Sequence, residues 1–167
     1  MKRLAPGTLL SAALLATSQA VAAGHCKTDE VTYFQCTIGS TGKVVALCGN
    51  ELFDPATNER RASTWLQYRY GAPGKVELAF PQARAGSVEQ FTGEYHHPYH
   101  GFYYGLSFNR KNVDYALVHV ESETRFYGIE VTMGKRVVQM PCIGQPEVNL
   151  EHSPNDFFRL VQELSPR

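Results

Sequence analysis

After an apolar start, the chain alternates short runs rich in valine, tyrosine, phenylalanine and threonine with glycine, asparagine, serine or proline. This pattern is typical of antiparallel strands joined by turns. It predicts a mainly all-β domain of about eight strands, folded as a small barrel or sandwich. The eight runs are "VTYFQCTI", "KVVALC", "STWLQYRYG", "KVELAFP", "GFYYGLSFN", "VDYALVHVE", "RFYGIEVTM" and "KRVVQMPC".

The run "VDYALVHV" is apolar on both of its faces. Strand alternation places Leu117 and His119 on one face and Ala116 and Val118 on the other. Because neither face is plainly polar, a sheet that curls on itself explains this strand better than an open sheet does. His119 is therefore expected to be a buried or cross-strand histidine and not a catalytic base.

Two tyrosine-rich runs each have one face that suits a core. In "GFYYGLSFN" the even positions are predicted to face the core, which leaves Tyr103 outward. In "STWLQYRYG" alternation places Leu66 and Tyr68 together, with Trp65 and Arg69 on the opposite face. These side chains are expected to form structural cross-strand pairs. The alternative is a contact of the Arg69 guanidinium with the ring of Trp65, which would contribute about 0.5–1 kcal/mol.

The end of the chain changes from strand to helix periodicity. In "SPNDFFRLVQEL", Ser153 can cap a helix and Pro154 fits its first position. Phe157, Val161 and Leu164 then share one face. We expect a single short C-terminal helix that docks on the barrel mouth or on a sheet edge, because a helix of this length does not persist alone.

The first 23 residues have the features of an export signal. Lys2 and Arg3 precede an apolar run from Leu9 to Ala23, which is too short to span a bilayer and ends in small residues that a signal peptidase accepts. Residues 1–23 are therefore predicted to be cleaved, which leaves one domain at 24–167 in the periplasm or outside the cell. No other run is long enough to predict a membrane span.

The four cysteines are Cys26, Cys36, Cys48 and Cys142. An even number in an exported chain predicts two disulfides. Because Cys36 and Cys48 flank the turn "TIGSTGK", we expect them to staple their own hairpin and Cys26 to pair with Cys142. The alternative joins Cys36 to Cys142 and Cys26 to Cys48. Closing the longest loop should stabilise the domain by about 4 kcal/mol.

Charge argues against nucleic acid as a partner. The chain has 16 basic and 16 acidic residues, and removal of Lys2 and Arg3 with the export signal leaves a small acidic excess. Nowhere does the sequence contain a basic run. A phosphate backbone is bound through clustered lysine and arginine, so we expect no nucleic-acid binding.

The order of "VVALC", "WLQYRYG" and "VELAFP" resembles a group of small exported bacterial proteins of unknown function. The shared pattern is a hairpin that ends in cysteine, an "LQYR-G" strand and an "EL-FP" strand. It covers roughly the middle third of the chain. The resemblance implies export and a β fold, and it implies no activity.

The chain also resembles, in architecture, the periplasmic inhibitors of c-type lysozyme. In those small β-barrels an early strand containing "Y-C" is tied to a late strand that ends in cysteine, and here "YFQC" and "VVQMPC" hold similar positions. The "TGEY" stretch at 92–95 is a shortened form of the inhibitors' "SG-x-x-Y" loop. The resemblance implies a binding or inhibitory role for this part of the chain.

The stretch "TGEYHHPYHG" at 92–101 is predicted to be a contact loop. Large side chains with polar tips, such as tyrosine and histidine, are enriched at recognition surfaces. The candidate contact residues are Tyr95, His96, His97, Tyr99, His100 and Tyr103. The expected role is an exported binding module of the inhibitor or immunity kind, whose partner is an unidentified protein or glycan of the cell envelope.

The same stretch allows a second hypothesis, in which His96, His97 and His100 hold zinc or copper. Imidazole suits these ions, and an H-x-x-x-H spacing can bring two rings to one metal. Apart from this alternative, no cofactor is expected. A third hypothesis is a cell-envelope hydrolase. No catalytic residues are assigned to it, because the sequence contains no nucleophile elbow and its cysteines are expected to be oxidised.

Overall fold

The computed structural model describes residues 24–97, 100–146 and 156–166. Within these residues the chain forms nine strands, a 3-10 turn at Val88–Gln90 and one helix. The strands are β1 (Val31–Thr37), β2 (Val44–Gly49), β3 (Leu66–Ala72), β4 (Lys75–Phe80), β5 (Thr92–His96), β6 (Phe102–Arg110), β7 (Val113–Glu121), β8 (Phe126–Met133) and β9 (Arg136–Pro141), and the helix is α1 (Asp156–Glu163).

The strands form two antiparallel sheets. The first sheet has the order β1-β2-β3-β4 and the second has the order β5-β6-β7-β8-β9, so within each sheet the strands pair in sequence order, and β4 and β5 belong to different sheets. The two sheets do not close into a barrel. The predicted all-β class and the eight predicted strands are confirmed, and of the two predicted architectures the sandwich describes the fold.

The core lies between the inner faces of the two sheets. Tyr68 of the first sheet packs on Phe108 of the second with ring centroids 5.0 Å apart, and Phe80 stacks on Phe108 at 4.3 Å. Leu117 of β7 is also buried in this core. Val118, on the opposite face of β7, is buried as well, so this strand is covered on both sides as its apolar faces indicate.

Helix α1 docks on β5, at the edge of the second sheet. Its predicted apolar face is confirmed, because Phe157 and Val161 are buried and Phe157 contacts Phe34 of β1 with ring centroids 5.8 Å apart. The N–H of Gly93 donates to the carbonyl of Leu164 at 3.0 Å. A Cβ at position 93 would lie 1.9 Å from the carbonyl oxygen of Val161, so only glycine permits this close approach. The predicted caps Ser153 and Pro154 lie outside the described residues.

The disulfides join Cys26 to Cys48 and Cys36 to Cys142. The expected hairpin staple between Cys36 and Cys48 is therefore wrong. In the register of β1 and β2, Cys36 lies opposite Val45, three residues from Cys48. That offset corresponds to about 10 Å along a strand, which exceeds the Cα separation that a disulfide can bridge. Two disulfides indicate an oxidising environment.

The Cys36–Cys142 disulfide joins the two sheets. Directly after β9, the backbone of Cys142 pairs with that of Ile38 in an isolated antiparallel β-bridge. The N–H of Ile143 donates to the carbonyl of Thr37 at 2.8 Å. The last residues of β9 therefore reach the end of β1, although the two strands belong to different sheets. This corner brings Cys36 within disulfide distance of Cys142.

The segment 24–30, which we call the strap, lies across the outer face of the first sheet. Cys26 is bonded to Cys48 of β2, and Nε2 of His25 lies 3.3 Å from the carbonyl oxygen of Gly71 in β3. The strap covers one face of β2 and the core covers the other. All six residues of β2 are consequently buried.

Among the described residues, no helix combines the length and the apolar character that crossing a bilayer requires.

Candidate functional site

The predicted contact loop at 92–101 begins as a strand. Residues Thr92–His96 form β5 and pair with β6, so that His96 lies opposite Tyr103 and Tyr95 lies opposite Tyr104. The prediction of a loop is wrong for this half of the segment. "TGEYH" is short, polar and contains glycine, so it has little strand signal of its own, and its conformation is held by β6 and by α1. Tyr99 lies outside the described residues.

His96 and Tyr103 stand on the outer face of the second sheet and stack on each other. Their ring centroids are 4.6 Å apart and their planes are inclined by 11°. Burial raises the pKa of Tyr103 to about 12, and the carboxylates of Glu94 and Glu130 add to the effect. The phenol is therefore neutral at every physiological pH. The side chain of His96 remains 54% exposed, so the stack is ordered and accessible.

Tyr95 and His97 lie on the opposite face of β5 from His96. The ring of Tyr95 is nearly parallel to that of Tyr104 at 6.2 Å, and His97 meets the edges of both tyrosine rings at 6.1 and 6.5 Å. Tyr95 is nevertheless 42% exposed. The end of β5 thus presents aromatic and imidazole groups on both of its faces.

The structure does not bring the three candidate metal ligands together. His96 stacks on Tyr103 on the outer face, whereas His97 contacts Tyr104 on the inner side. Across residues 24–97, 100–146 and 156–166, no group of three histidine, cysteine or acidic side chains has an arrangement that could hold a metal ion. The arrangement therefore does not favour the zinc or copper hypothesis.

The segment ends in a tight turn that packs on β7. His100 has a φ of 68°, in the left-handed region. A Cβ at Gly101 would lie 2.1 Å from the carbonyl oxygen of Glu121. Only glycine at position 101 therefore lets the turn lie this close to the backbone at the end of β7. The position of His100 and of the start of β6 therefore depends on Glu121 and on its neighbours.

His119 lies on the inner face of β7, opposite Tyr104 and two residues before Glu121. Its ring contacts Phe102 at 5.7 Å, Tyr127 at 4.7 Å and Phe158 of α1 at 5.1 Å. We call these three rings the His119 cage. The side chain is 12% exposed. Its Nδ1 atom is buried and has no hydrogen-bond partner in the described part of the chain. The sequence-based expectation of a buried histidine is confirmed.

One acidic group is within reach of His119. An oxygen of Glu121 lies 3.9 Å from Nε2, and the same carboxylate accepts a hydrogen bond from the hydroxyl of Tyr127. Burial lowers the pKa of His119, and the charge of Glu121 opposes that effect only in part. His119 is therefore neutral at pH 7. The cluster can take up a proton in acid, which is the chemistry that its residues permit.

A second cluster, buried beneath the strap, was not predicted from the sequence. The side chain of Glu30 is 1% exposed. Arg69 donates to both of its oxygens at 2.5 and 3.0 Å, and Arg84 adds a third hydrogen bond at 2.9 Å. Burial opposes ionisation of the Glu30 carboxyl. The hydrogen bonds from the arginines, a further hydrogen bond from the N–H of Lys27 and the two positive charges together outweigh the effect of burial. The pKa of Glu30 therefore lies below its usual range.

Arg69 does not make the alternative contact with Trp65. Arg69 is buried under the strap, where it binds Glu30 and also donates to the carbonyl of His25 at 2.7 Å. Arg84 makes that contact instead, with its guanidinium carbon 3.9 Å from the centroid of the Trp65 ring. The only sequence signal for this cluster was an arginine in a strand that is mostly apolar and aromatic. Glu30 reads as an ordinary solvated acid before β1.

A polar cleft of about 550 Å³ lies at the C-terminal end of α1 and is lined by Arg60, Arg159, Gln162, Glu163 and Ser165. Both arginines already have acidic partners, because Arg60 pairs with Glu89 and Arg159 lies 3.4 Å from Glu163. Arg159 also packs on the ring of Phe53 and donates to Asn58. The cleft therefore carries no uncompensated charge, and its residues tie the loop at 50–64 to α1.

No protein-family model matches the chain, and comparison with curated proteins and with solved structures finds none that is significantly similar to it. The geometry of the site is therefore what supports a function.

Proposed function

We propose that the chain is an exported binding module, periplasmic or secreted, that engages a protein of the cell envelope in the manner of an inhibitor or immunity protein. Its contact surface consists of Tyr95, His96, His97, His100 and Tyr103. Tyr99, the remaining contact residue expected from the sequence, lies outside the described residues.

The observation that carries this proposal is that two of the contact side chains are exposed and also held by ring stacking. Tyr95 and His96 are 42% and 54% exposed, and each stacks on a tyrosine of β6. Immobilising a flexible side chain on binding costs about 0.5–1.5 kcal/mol. Rings that are held in place before the partner arrives avoid much of this cost, as rigid aromatic residues do in other recognition surfaces.

The backbone of β5 supports the same role. The N–H of Gly93 points away from β6 and is used by α1. Because alternate residues of an antiparallel strand direct their polar groups the same way, Tyr95 directs its N–H and C=O toward this side too. At Gly93 this edge is occupied by α1, so an extended segment of a partner would add at the Tyr95 end of β5. The two disulfides fit an exported protein, since they form in oxidising compartments.

The test measures binding of the purified, oxidised protein to a panel of cell-wall hydrolases that includes c-type lysozymes. We expect at least one enzyme to bind with micromolar or tighter affinity and to be inhibited. Changing Tyr95 or His96 to alanine should weaken that affinity by roughly tenfold or more, as expected for central contact residues.

The matched control is Met133→Ala, because Met133 is about as exposed as Tyr95 but lies at the turn between β8 and β9. This variant should bind as the wild type does. Absence of binding across the panel at roughly 100 μM, or an equal loss in the Met133 variant, would contradict the proposal. Both tyrosine and histidine variants should stay within about 0.5 kcal/mol of wild-type stability, since the residues are exposed.

A further inference from the structure

The position of His119 connects a titratable group to both elements that hold the contact surface. Its ring stacks on Phe102, the first residue of β6, and meets the ring of Phe158 in α1. The backbone of Glu121, two residues further along β7, touches the turn at Gly101. A movement of His119 is therefore transmitted in two directions, to the turn that precedes Tyr103 and to the helix that packs on β5.

The His119 cage suits only the neutral imidazole. Phe102 and Phe158 offer no hydrogen-bond acceptor, and the buried Nδ1 has none among the described residues. A protonated imidazole carries N–H on both nitrogens, and each needs an acceptor. Burying the additional donor without one costs about 1–3 kcal/mol. A proton on His119 therefore destabilises the cage as it is built.

The charged groups around the cage include one acceptor for a protonated His119 ring. From β7, Glu121 lies 3.9 Å from Nε2. From β8, the hydroxyl of Tyr127 donates a hydrogen bond to Glu121. Arg125, in the turn before β8, has its Nε 3.8 Å from the same carboxylate. From β6, the neighbouring groups are Phe102 and Tyr104. The charged residues of α1, Arg159 and Glu163, lie 3.4 Å from each other. Glu121 is thus the acceptor toward which a protonated ring would move.

We propose that His119 is a pH sensor for the contact surface: a proton draws the imidazole out of its cage toward Glu121, which loosens the 100–102 turn and helix α1 and weakens partner binding in acid. The link to partner binding rests on the proposed function. The structural change does not. Burial lowers the pKa of His119, so the contact surface is intact at neutral pH and the transition occurs below the ordinary histidine pKa of 6.5.

The first experiment follows the ring protons of His119 and the backbone amides by NMR from pH 7.5 to 5.0. We expect the amides of 101–104 and of α1 to shift with the same midpoint as the His119 ring. In His119→Phe, which keeps an aromatic ring but cannot titrate, those shifts should vanish. Should this variant not fold, His119→Gln replaces it. Glu121→Gln should move the midpoint to lower pH, because the carboxylate favours the charged ring.

The matched control is His96→Gln, which removes a histidine that stacks on Tyr103 outside the cage. It should leave the midpoint of the His119 ring and of the α1 amides unchanged. The sensor is refuted if the α1 amides titrate in His119→Phe, or if His119 titrates without moving them. The second experiment compares affinity for the bound hydrolase at pH 7.5 and 5.5. We expect it to weaken by about tenfold in the wild type and to change little in His119→Phe. If no hydrolase binds, the proposed function fails, whereas the NMR result still decides on the sensor.

Discussion

The outer faces of the two sheets carry polar side chains that differ in exposure to solvent. On the first sheet Arg69 points away from the core, yet it is buried beneath the strap and neutralised by Glu30. On the second sheet His96 also points away from the core and remains mostly exposed. Strand alternation treats the two positions alike. The difference is a covering segment, attached by the disulfide between Cys26 and Cys48.

This contrast separates a scaffold from a surface. Beneath the strap, charges that would be harmless in water must be paired, so each residue depends on the others. On the open face, His96 stacks on the half-buried ring of Tyr103 and stays mostly in solvent. We therefore expect substitutions in the first region to change stability and substitutions in the second to change binding.

The largest effect on stability is expected from opening the cross-sheet disulfide. Changing Cys36 and Cys142 together to serine releases a link with a sequence separation of 106, which should lower the free energy of unfolding by about 4.7 kcal/mol in the chain-entropy model. The link between Cys26 and Cys48 has a separation of 22, and its loss should cost about 3.4 kcal/mol. Urea denaturation of both double variants measures the difference. Equal losses would show that loop length does not govern these cross-links.

The next effect concerns the buried ion pair under the strap. Arg69→Met leaves the Glu30 carboxylate buried with Arg84 as its remaining charged partner, so the free energy of unfolding should fall by about 3 kcal/mol. Glu30→Gln combined with Arg69→Met removes both charges and should restore at least half of that loss. Arg84→Met is the matched control, because the Arg84 side chain is 51% exposed and should cost about 1 kcal/mol or less. A double variant as unstable as Arg69→Met would contradict the coupling of the two charges.

The smallest effect distinguishes the two regions by their response to acid. His119 has a lowered pKa in the folded protein, so its contribution is complete above the ordinary value of 6.5 and is lost as the pH falls through the folded-state value. Glu30 also has a lowered pKa, and its contribution is lost only as the pH falls below the ordinary value of 4.5. Amide exchange, corrected for its intrinsic pH dependence, should therefore rise first in α1 and later in the strap. The reverse order would contradict both assignments.

Most of the fold follows from local patterns along the chain. Eight strands, the inward positions of "GFYYGLSFN" and the apolar face of α1 are recognisable because alternation and helix periodicity persist over whole elements. In contrast, β5 is a strand because Tyr103 and Tyr104 lie opposite it and Leu164 binds Gly93. No local pattern in "TGEYH" records those contacts.

The candidate site was predictable as a set of residues but not as an arrangement. The clustering of tyrosine and histidine at 92–103 is visible in the sequence. The separation of His96 from His97 by the sheet, and the placement of His119 opposite Tyr104, depend on the register of β5, β6 and β7. Register is set by pairing along whole strands, which a single segment does not encode.

By itself the sequence determined the β class, the terminal helix and the number of cysteines available for cross-links, because these depend on periodicity and composition. The tertiary structure alone decided which cysteines meet, which outward charge is buried and which histidine is enclosed by aromatic rings. Cys36 reaches Cys142 across a corner between sheets, and Glu30 meets Arg69 because the strap folds back over β3. Such contacts join residues far apart in the chain, so their energies depend on geometry that no local pattern contains.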